Sequence, residues 1–398
     1  SNQKLRIAMA STDDGGDEET NLLLQCAEWR FFLTIKYLSE SERGDVIEKL
    51  KKAVFENDML SVYRSLCATH GWNIDDDLVT KMEANMAKAI TEADEKIADA
   101  EKNLGETEVR DAIRGKAKYY SKTAQKDLAL KTFELAYKKS VGSNAKLEIV
   151  FDILQLGFFF SDYKLIKTEI DRAKELLDAG GDWERRNRLK VYEATYFMIV
   201  RDLESAANLF IDSVATFAAG ELYSFNKFIF YSVVTSMVAL NRVQLREKVV
   251  ESPEILSVIE EIPHLESFLQ SVYRCHYEDF FESLSGIMGL ISRDRYLSRH
   301  ASHFLRSIRV VVYSQFLESY QSVTISAMSK KFGVSEEFVD SDLSMLIANG
   351  RLNAKIDKVR GIIETNRPDA KNAQYQTVIK QGDLLLNRVQ KLSRVITY

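Results

Sequence analysis

Three prolines in 398 residues, Pro253, Pro263 and Pro368, form the feature that most narrows how this chain can fold. Proline lacks a backbone donor and clashes with the preceding turn, so it interrupts a helix wherever it falls in the interior. Before residue 253 no such obstacle stands in the way, and Ala, Leu, Glu and Lys, all good helix formers, are plentiful. The expectation is a mostly α protein. A hydrophobic content of 45% supports one large core or two to three smaller ones.

Periodicity divides the chain further. Residues 1–20 contain ASTDDGGDEET, with five carboxylates and no large apolar side chain, and are expected to be an acidic tail. An N-terminal helical region follows over 21–105. Near its end Met86, Ile90, Ala93, Ile97, Ala100 and Leu104 recur at steps of four and three, one narrow stripe on a long polar helix starting near 81. Such a helix should lie along a neighbour. Over 106–320 the chain looks repetitive. Ala117, Tyr120, Ala129, Phe133 and Ala136 fit the small and aromatic positions of a tetratricopeptide-like helix pair, continued by Gly157, Ala194, Ala206 and Phe210 with Ala117, Gly157 and Ala194 spaced 40 and 37 apart. Small residues let paired helices approach, and each pair must bury a face on the next.

After 320 the period changes. Residues 321–370 read as a short strand, a helix, a turn at Gly333, a second helix capped by Ser335, then LNAKID and GIIETN as two alternating strands around Lys358-Val359-Arg360. Helix, helix and β-hairpin make a winged helix. Residues 371–398 read as one last helix, with Val378, Gly382, Leu385, Val389, Leu392 and Ile396 on a seam spaced 4, 3, 4, 3, 4. Burying that seam offsets too little of the entropy of ordering the segment for the helix to stand alone, so a partner is expected to cover it. The other possibility is that it folds back on its own domain.

Winged helices are usually met on DNA, but the charge here argues otherwise. The chain carries a net charge of −5. Residues 301–398 hold 14 Lys and Arg against 9 Asp and Glu, yet the second helix of the motif has Glu336, Glu337, Asp340 and Asp342 and no basic residue. A helix entering the major groove offers Arg, Lys, Asn or Gln. The four acids are read instead as solvated groups that suit a helix N-terminus. Lys355, Lys358, Arg360 and Arg367 on the wing form a solvated or partner-facing edge, either protected by its lysines or covered by a neighbour.

Enzyme signatures are missing. His300 and His303 are three apart but no further ligands complete a metal set, and there is no phosphate loop or nucleophile elbow. Cys275 and His276, as helix neighbours, would point about 100° apart, so Cys275 is read as a core cysteine. In GGDWERRNR, Trp183 with Arg185, Arg186 and Arg188 is expected to stack and form salt bridges between repeats. No cofactor, metal or catalytic residue is expected. Three cysteines far apart (Cys26, Cys67, Cys275) suit a reducing compartment. With no membrane-length apolar run and no secretory leader, cytoplasm and nucleus are the expected location.

The order of repeats, winged helix and terminal helix resembles the PCI module shared by the proteasome lid, the signalosome and a translation initiation complex. GGDWERRNRLKVYEA (180–194), YLSRHASHF (296–304), FGVSEEFVDSDLS (332–344) and GIIETNRPDAKNAQYQTVIKQGDLLLNRVQKLSRVI (361–396) are similar, more narrowly, to one family of non-ATPase lid subunits of the 26S proteasome. The resemblance runs from about 110 to the end. It implies a non-catalytic scaffold within a hetero-oligomer that supports ATP-dependent degradation of ubiquitinated proteins. Its winged helix would align beside those of other PCI subunits, its last helix would join a bundle, and the lid so built would hold the deubiquitinating subunit over the ATPase ring. Partner-binding residues are then Val378, Leu385, Val389, Leu392 and Ile396 on the helix, with Lys355 and Lys358 on the wing, and neither nucleic acid nor membrane is a partner. A signalosome subunit of the same module, or a nucleic-acid-binding PCI adaptor, is the alternative.

Overall fold

The computed structural model describes residues 21–35, 38–103, 105–180, 182–365 and 370–396. The acidic tail, Leu104 and Arg367 lie outside them. The chain divides into two compact units, one made of residues up to 269 with 284–304, the other of 270–283 with 305 onward.

Among its described residues the first unit has helices and no strand, with short helical segments at Arg242–Leu245 and Pro253–Val258 beside the longer ones. Its helices are α1 (Leu22–Thr34), α2 (Glu40–Glu56), α3 (Leu60–His70), α4 (Asp76–Asn103), α5 (Glu106–Lys122), α6 (Lys126–Lys139), α7 (Ser143–Phe160), α8 (Tyr163–Asp178), α9 (Trp183–Val200), α10 (Leu203–Ser213) and α11 (Phe225–Ala239). Helix α4 begins earlier than its apolar stripe suggests, because the Asp75 carboxylate accepts from the N–H groups of Asp77 and Leu78 and caps the first turn. Met86 and Ala100 on its stripe are buried. Ile90 and Ile97 are half-buried against a cluster of Ala117, Tyr120, Ala129, Phe133 and Ala136.

Three successive helix pairs, α5–α6, α7–α8 and α9–α10, turn in the same way. Each first helix ends on a residue in the left-handed region, Ala124 (φ 58°), Ser161 (φ 56°) and Arg201 (φ 73°). The next N–H then bonds back five residues, Gln125 to Tyr120 O, Asp162 to Gly157 O and Asp202 to Phe197 O, at 2.9–3.0 Å. That six-to-one bond is a Schellman closure, which satisfies carbonyls the helix end leaves open. Counting from these turns, Gly157 is the counterpart of Tyr120 and Phe197, and not of Ala117 and Ala194 as spacing alone suggested. Ile166 stands where the other pairs have Ala129 and Ala206. The middle pair has therefore exchanged its sizes: a Cβ on Gly157 would sit 2.9 Å from Ile166 Cγ1, so the isoleucine fits only because its partner is glycine.

Ion pairs tie consecutive pairs together. Arg185 Nε reaches Glu148 Oε1 (3.0 Å), Arg114 Nε reaches Asp152 (2.6 Å), and Arg188 pairs with both Glu148 and Glu221 while lying over the Phe151 ring at 4.3 Å. Arg186 donates to the Leu177 carbonyl. Trp183, expected to stack, is 66% exposed instead, because the first turn of α9 aims it away from the pair that its arginines grip. Helix α1 belongs to the same network: Asn21 donates to Gln155, Gln155 to the Tyr192 hydroxyl, and Lys227 holds both Glu28 and Asp294. His300 Nε2 lies 2.7 Å from the Ile199 carbonyl. Among the described residues no group of His, Cys, Asp and Glu is placed to hold a metal, and no helix is long and apolar enough to cross a membrane. Cys26 and Cys67 are buried, and burial pushes the Cys26 thiol up to about 12.

Helices α12 (Leu265–Tyr273), α13 (Phe280–Arg293) and α14 (Ala301–Glu318) contribute to both units. The second unit adds β1 (Ser322–Thr324), α15 (Ile325–Phe332), α16 (Glu336–Ala348), β2 (Ala354–Asp357), β3 (Ile362–Thr365) and α17 (Ala370–Ile396). Its core is aromatic and centres on Phe332, which stacks on Tyr277 (4.9 Å between centroids) and meets Tyr313 and Phe316 edge-on at 5.4 Å. Cys275, read from its helical neighbourhood as a core residue, is only half-buried; it sits past the end of α12 with φ 61° and accepts from Gln315 Nε2.

Candidate subunit interface

The winged helix is assembled from short-range signals. Thr324 Oγ1 caps α15 by accepting from Ala327 N, Gly333 ends it at φ 64°, and Ser335 Oγ caps α16 by accepting from Phe338 N. The sheet order is β1-β3-β2, with Val323 and Ile356 both opposite Ile363, so β2 lies at an edge. At the tip, the Asp357 carboxylate accepts from the N–H groups of Val359 and Arg360 and fixes the turn. Val359 is left 96% exposed.

Two acids of α16 do not behave as solvated caps. Glu336 and Glu337 are exposed in its first turn, but Asp342 is buried, 2.8 Å from Arg309 Nη1 and 3.0 Å from the Tyr313 hydroxyl. It faces the core because α14 supplies the counter-charge there. Burial, and then the charge of Asp342, push the Tyr313 hydroxyl well above the usual phenol range, so it stays a donor. Asp340 pairs with Lys358 at 3.1 Å, closing the wing onto α16. Lys358 is thus engaged within its own domain, while Lys355, opposite Glu364 in the register, stands exposed on the edge strand.

Helix α17 differs from every other helix: each of its described side chains is exposed. Val378, Leu385, Val389 and Leu392 are 55–65% exposed. Ile396 is its last residue, with a side chain outside the described set. Tyr375, Ile379 and Leu386 are exposed as well, and at roughly 100° per residue they form a second ridge about 60–100° round the helix from the Val378 line. One seam suits one neighbour; two adjacent ridges suit a helix wedged between two. The periodicity reading missed this second ridge because it followed the strongest stripe alone, although the steps from 375 to 379 to 386 were present.

A family model described as 26S proteasome subunit RPN7 matches residues 75–248. The chain is 48% identical over 381 residues to the 26S proteasome non-ATPase regulatory subunit 6 of Oryza sativa subsp. japonica, covering 96% of this chain and 97% of that one. The chain belongs to the 26S proteasome non-ATPase regulatory subunit 6 family. The homologue of Arabidopsis thaliana is likewise 48% identical over 96% of this chain and 98% of its own. Within the family pattern a PCI domain is matched over 289–367, and the family's C-terminal helix over 374–396, the stretch that carries both ridges of α17. COP9 signalosome complex subunit 1 of Arabidopsis thaliana is similar at 24% over 153 residues, only 38% of this chain and 35% of that one, so the proteasome family and not the signalosome is its place.

Proposed function

We propose that this chain is a structural, non-catalytic subunit of the proteasome regulatory lid, acting in cytoplasm and nucleus by joining other PCI subunits into one particle that serves ATP-dependent degradation of ubiquitinated proteins. The observation that carries the reading is α17, 27 residues of helix whose Val378, Leu385, Val389 and Leu392 remain exposed. Apolar ridges of this length on a soluble subunit are stabilised only when other helices cover them. The exposed edge of β2 beside Lys355 offers a second contact, to a neighbouring winged helix, through main-chain hydrogen bonds. A partner reaching the wing beyond it has to compete with Asp340 for Lys358. Contacts with the ATPase ring and the deubiquitinating subunit belong to the same proposal and would follow from position within the lid.

The test is incorporation. Leu385→Asp with Leu392→Asp places two carboxylates on the exposed seam, so the melting of the isolated chain should be unchanged while its co-purification with the lid falls to background. Normal yield of the doubly charged chain in the intact particle would show that α17 is not the assembly element.

A further inference from the structure

Arrays of helix pairs offer partners an extended surface along their length. In this chain α1 covers part of that surface. It packs on α7, the Asn21 N–H donates to the Glu221 carbonyl (3.0 Å), and Asn21 Nδ2 donates to Gln155 Oε1 of α7 (2.5 Å). Further along, Glu28 pairs with Lys227 of α11. At roughly 100° per residue Ile149, Val150, Phe151 and Phe159 lie on every side of α7 and all are buried, so α7 keeps no open face once α1 is seated.

The seat does not match α1 throughout. Leu23, Leu24, Cys26, Ala27 and Leu33 are buried and fall within one half of the helix circumference, and Arg30, half-buried, stands inside that arc. Its guanidinium makes no ion pair among the described residues. The charge it feels is a like one: after burial, Arg295 is the next cause holding Arg30 below its ordinary basicity. Arg295 Nη2 donates to the Phe158 and Phe159 carbonyls and to Ser161, while its Nη1 is buried without a partner among the described residues. The carboxylates of Glu28 and Asp294 are both held by Lys227. A cavity also borders each end of α1, about 250 Å³ beside Asn21 and Leu22 and about 450 Å³ beside Phe31 and Ile35. Ser121 lines the first, and its hydroxyl is buried without a partner among the described residues.

Apolar burial holds α1 in place, and an unmatched charge with a void at either end makes the hold weaker than that burial alone would give. We propose that α1 is an internal strap on the repeat surface, displaced by an amphipathic helix of another protein that carries one carboxylate at the place of Glu28 and a second at the place of Arg30. Such a helix keeps the pairing with Lys227 and turns the contact with Arg295 from like to opposite charge, so it fits the seat better than α1 does. Apolar side chains at the places of Leu23, Leu24, Ala27 and Leu33 fill the same holes, and bulkier ones at its two ends reach the cavities.

The probe is a fluorescein-labelled peptide of residues 21–34 with Arg30→Glu, titrated into the full-length chain by anisotropy beside the peptide of native sequence. The glutamate peptide should bind at least about tenfold tighter, and Arg295→Gln in the chain should erase that difference. In the native chain, amide hydrogen exchange over 22–34 should run about tenfold or more faster than over 147–159. Arg30→Glu in the full-length chain tightens the strap itself: exchange over 22–34 should slow about tenfold, the melting temperature should hold or rise, and the glutamate peptide should bind about tenfold more weakly. These last measurements do not depend on the Arg295 variant folding. Equal affinity of the two peptides would assign the seat to α1 of a second copy and overturn the charge rule. No binding of either peptide up to about 100 μM, exchange over 22–34 as slow as over 147–159, or a lower melting temperature for Arg30→Glu would overturn the proposal outright.

Discussion

The helices at 76–103 and 370–396 carry apolar residues at the same alternating steps of four and three, yet α4 buries Met86 and Ala100 within its own unit while α17 exposes Val378, Leu385, Val389 and Leu392. Length does not separate them, at 28 and 27 residues. Side-chain size does. The middle and end of the α4 stripe use Ala93 and Ala100, which let the backbone of a neighbouring pair approach, and the cluster under it answers with Ala117, Ala129 and Ala136. The α17 seam uses Leu385, Val389 and Leu392, which need a partner of comparable bulk. Period locates a buried face; the mixture of small and large residues indicates whether the chain itself supplies the cover.

The largest effect expected follows from placing the same change on both helices. Ala100→Asp adds a carboxylate where Ala100 is 2% exposed in an apolar cluster with Val109, Ile113 and Phe133, while the nearby Lys139 is paired with Glu101 at the surface. A buried charge without a counter-ion should destabilise the isolated chain by at least ~3 kcal/mol, read from thermal or urea melts. The aspartates at 385 and 392 should leave those melts unchanged. Equal losses at the two sites would mean that α17 is covered within the chain after all.

A smaller effect sharpens the account of the repeats. Gly157→Ala drives a methyl into Ile166, which is fully buried, and overpacking of this kind costs roughly 1–3 kcal/mol. Adding Ile166→Ala restores the pattern of the flanking pairs, so the double variant should lose less than the two single losses added together. Additive losses would show that the 2.9 Å approach does not couple the two positions.

Most of the architecture was legible from the chain: scarce proline gave helices, Gly333 and Ser335 marked the turn of the winged helix, and the strands appeared at LNAKID and GIIETN. What was not legible depended on three-dimensional neighbours. Asp342 looks like any other acid of α16 until Arg309, 33 residues away, is folded beside it. Sequence proximity gives Trp183 the same expected task as its neighbouring arginines, although one helical turn sends side chains in opposite directions. Gly157 falls into a series of small residues by spacing alone, because spacing has no fixed origin until the turns are placed. At the candidate interface the seam residues were readable from period, whereas the pairing of Lys358 with Asp340 joins segments that no periodicity relates.

The smallest expected effect probes α17 itself. Gly382 lies on its seam, and an added Cβ there would meet nothing within 4 Å. Glycine in a helix interior is about 1 kcal/mol worse than alanine, so Gly382→Ala should slow amide hydrogen exchange over residues 375–392 of the isolated chain by roughly fivefold. An unchanged rate would mean that the helix is held by contacts and not by its own propensity. Incorporation into the lid then asks a separate question. If a neighbouring backbone approaches α17 most closely at Gly382, the methyl that stabilises the free helix should lower the yield of assembled particle; if the neighbours rest on the two flanking ridges, yield should hold or rise because less ordering entropy remains to be lost on assembly.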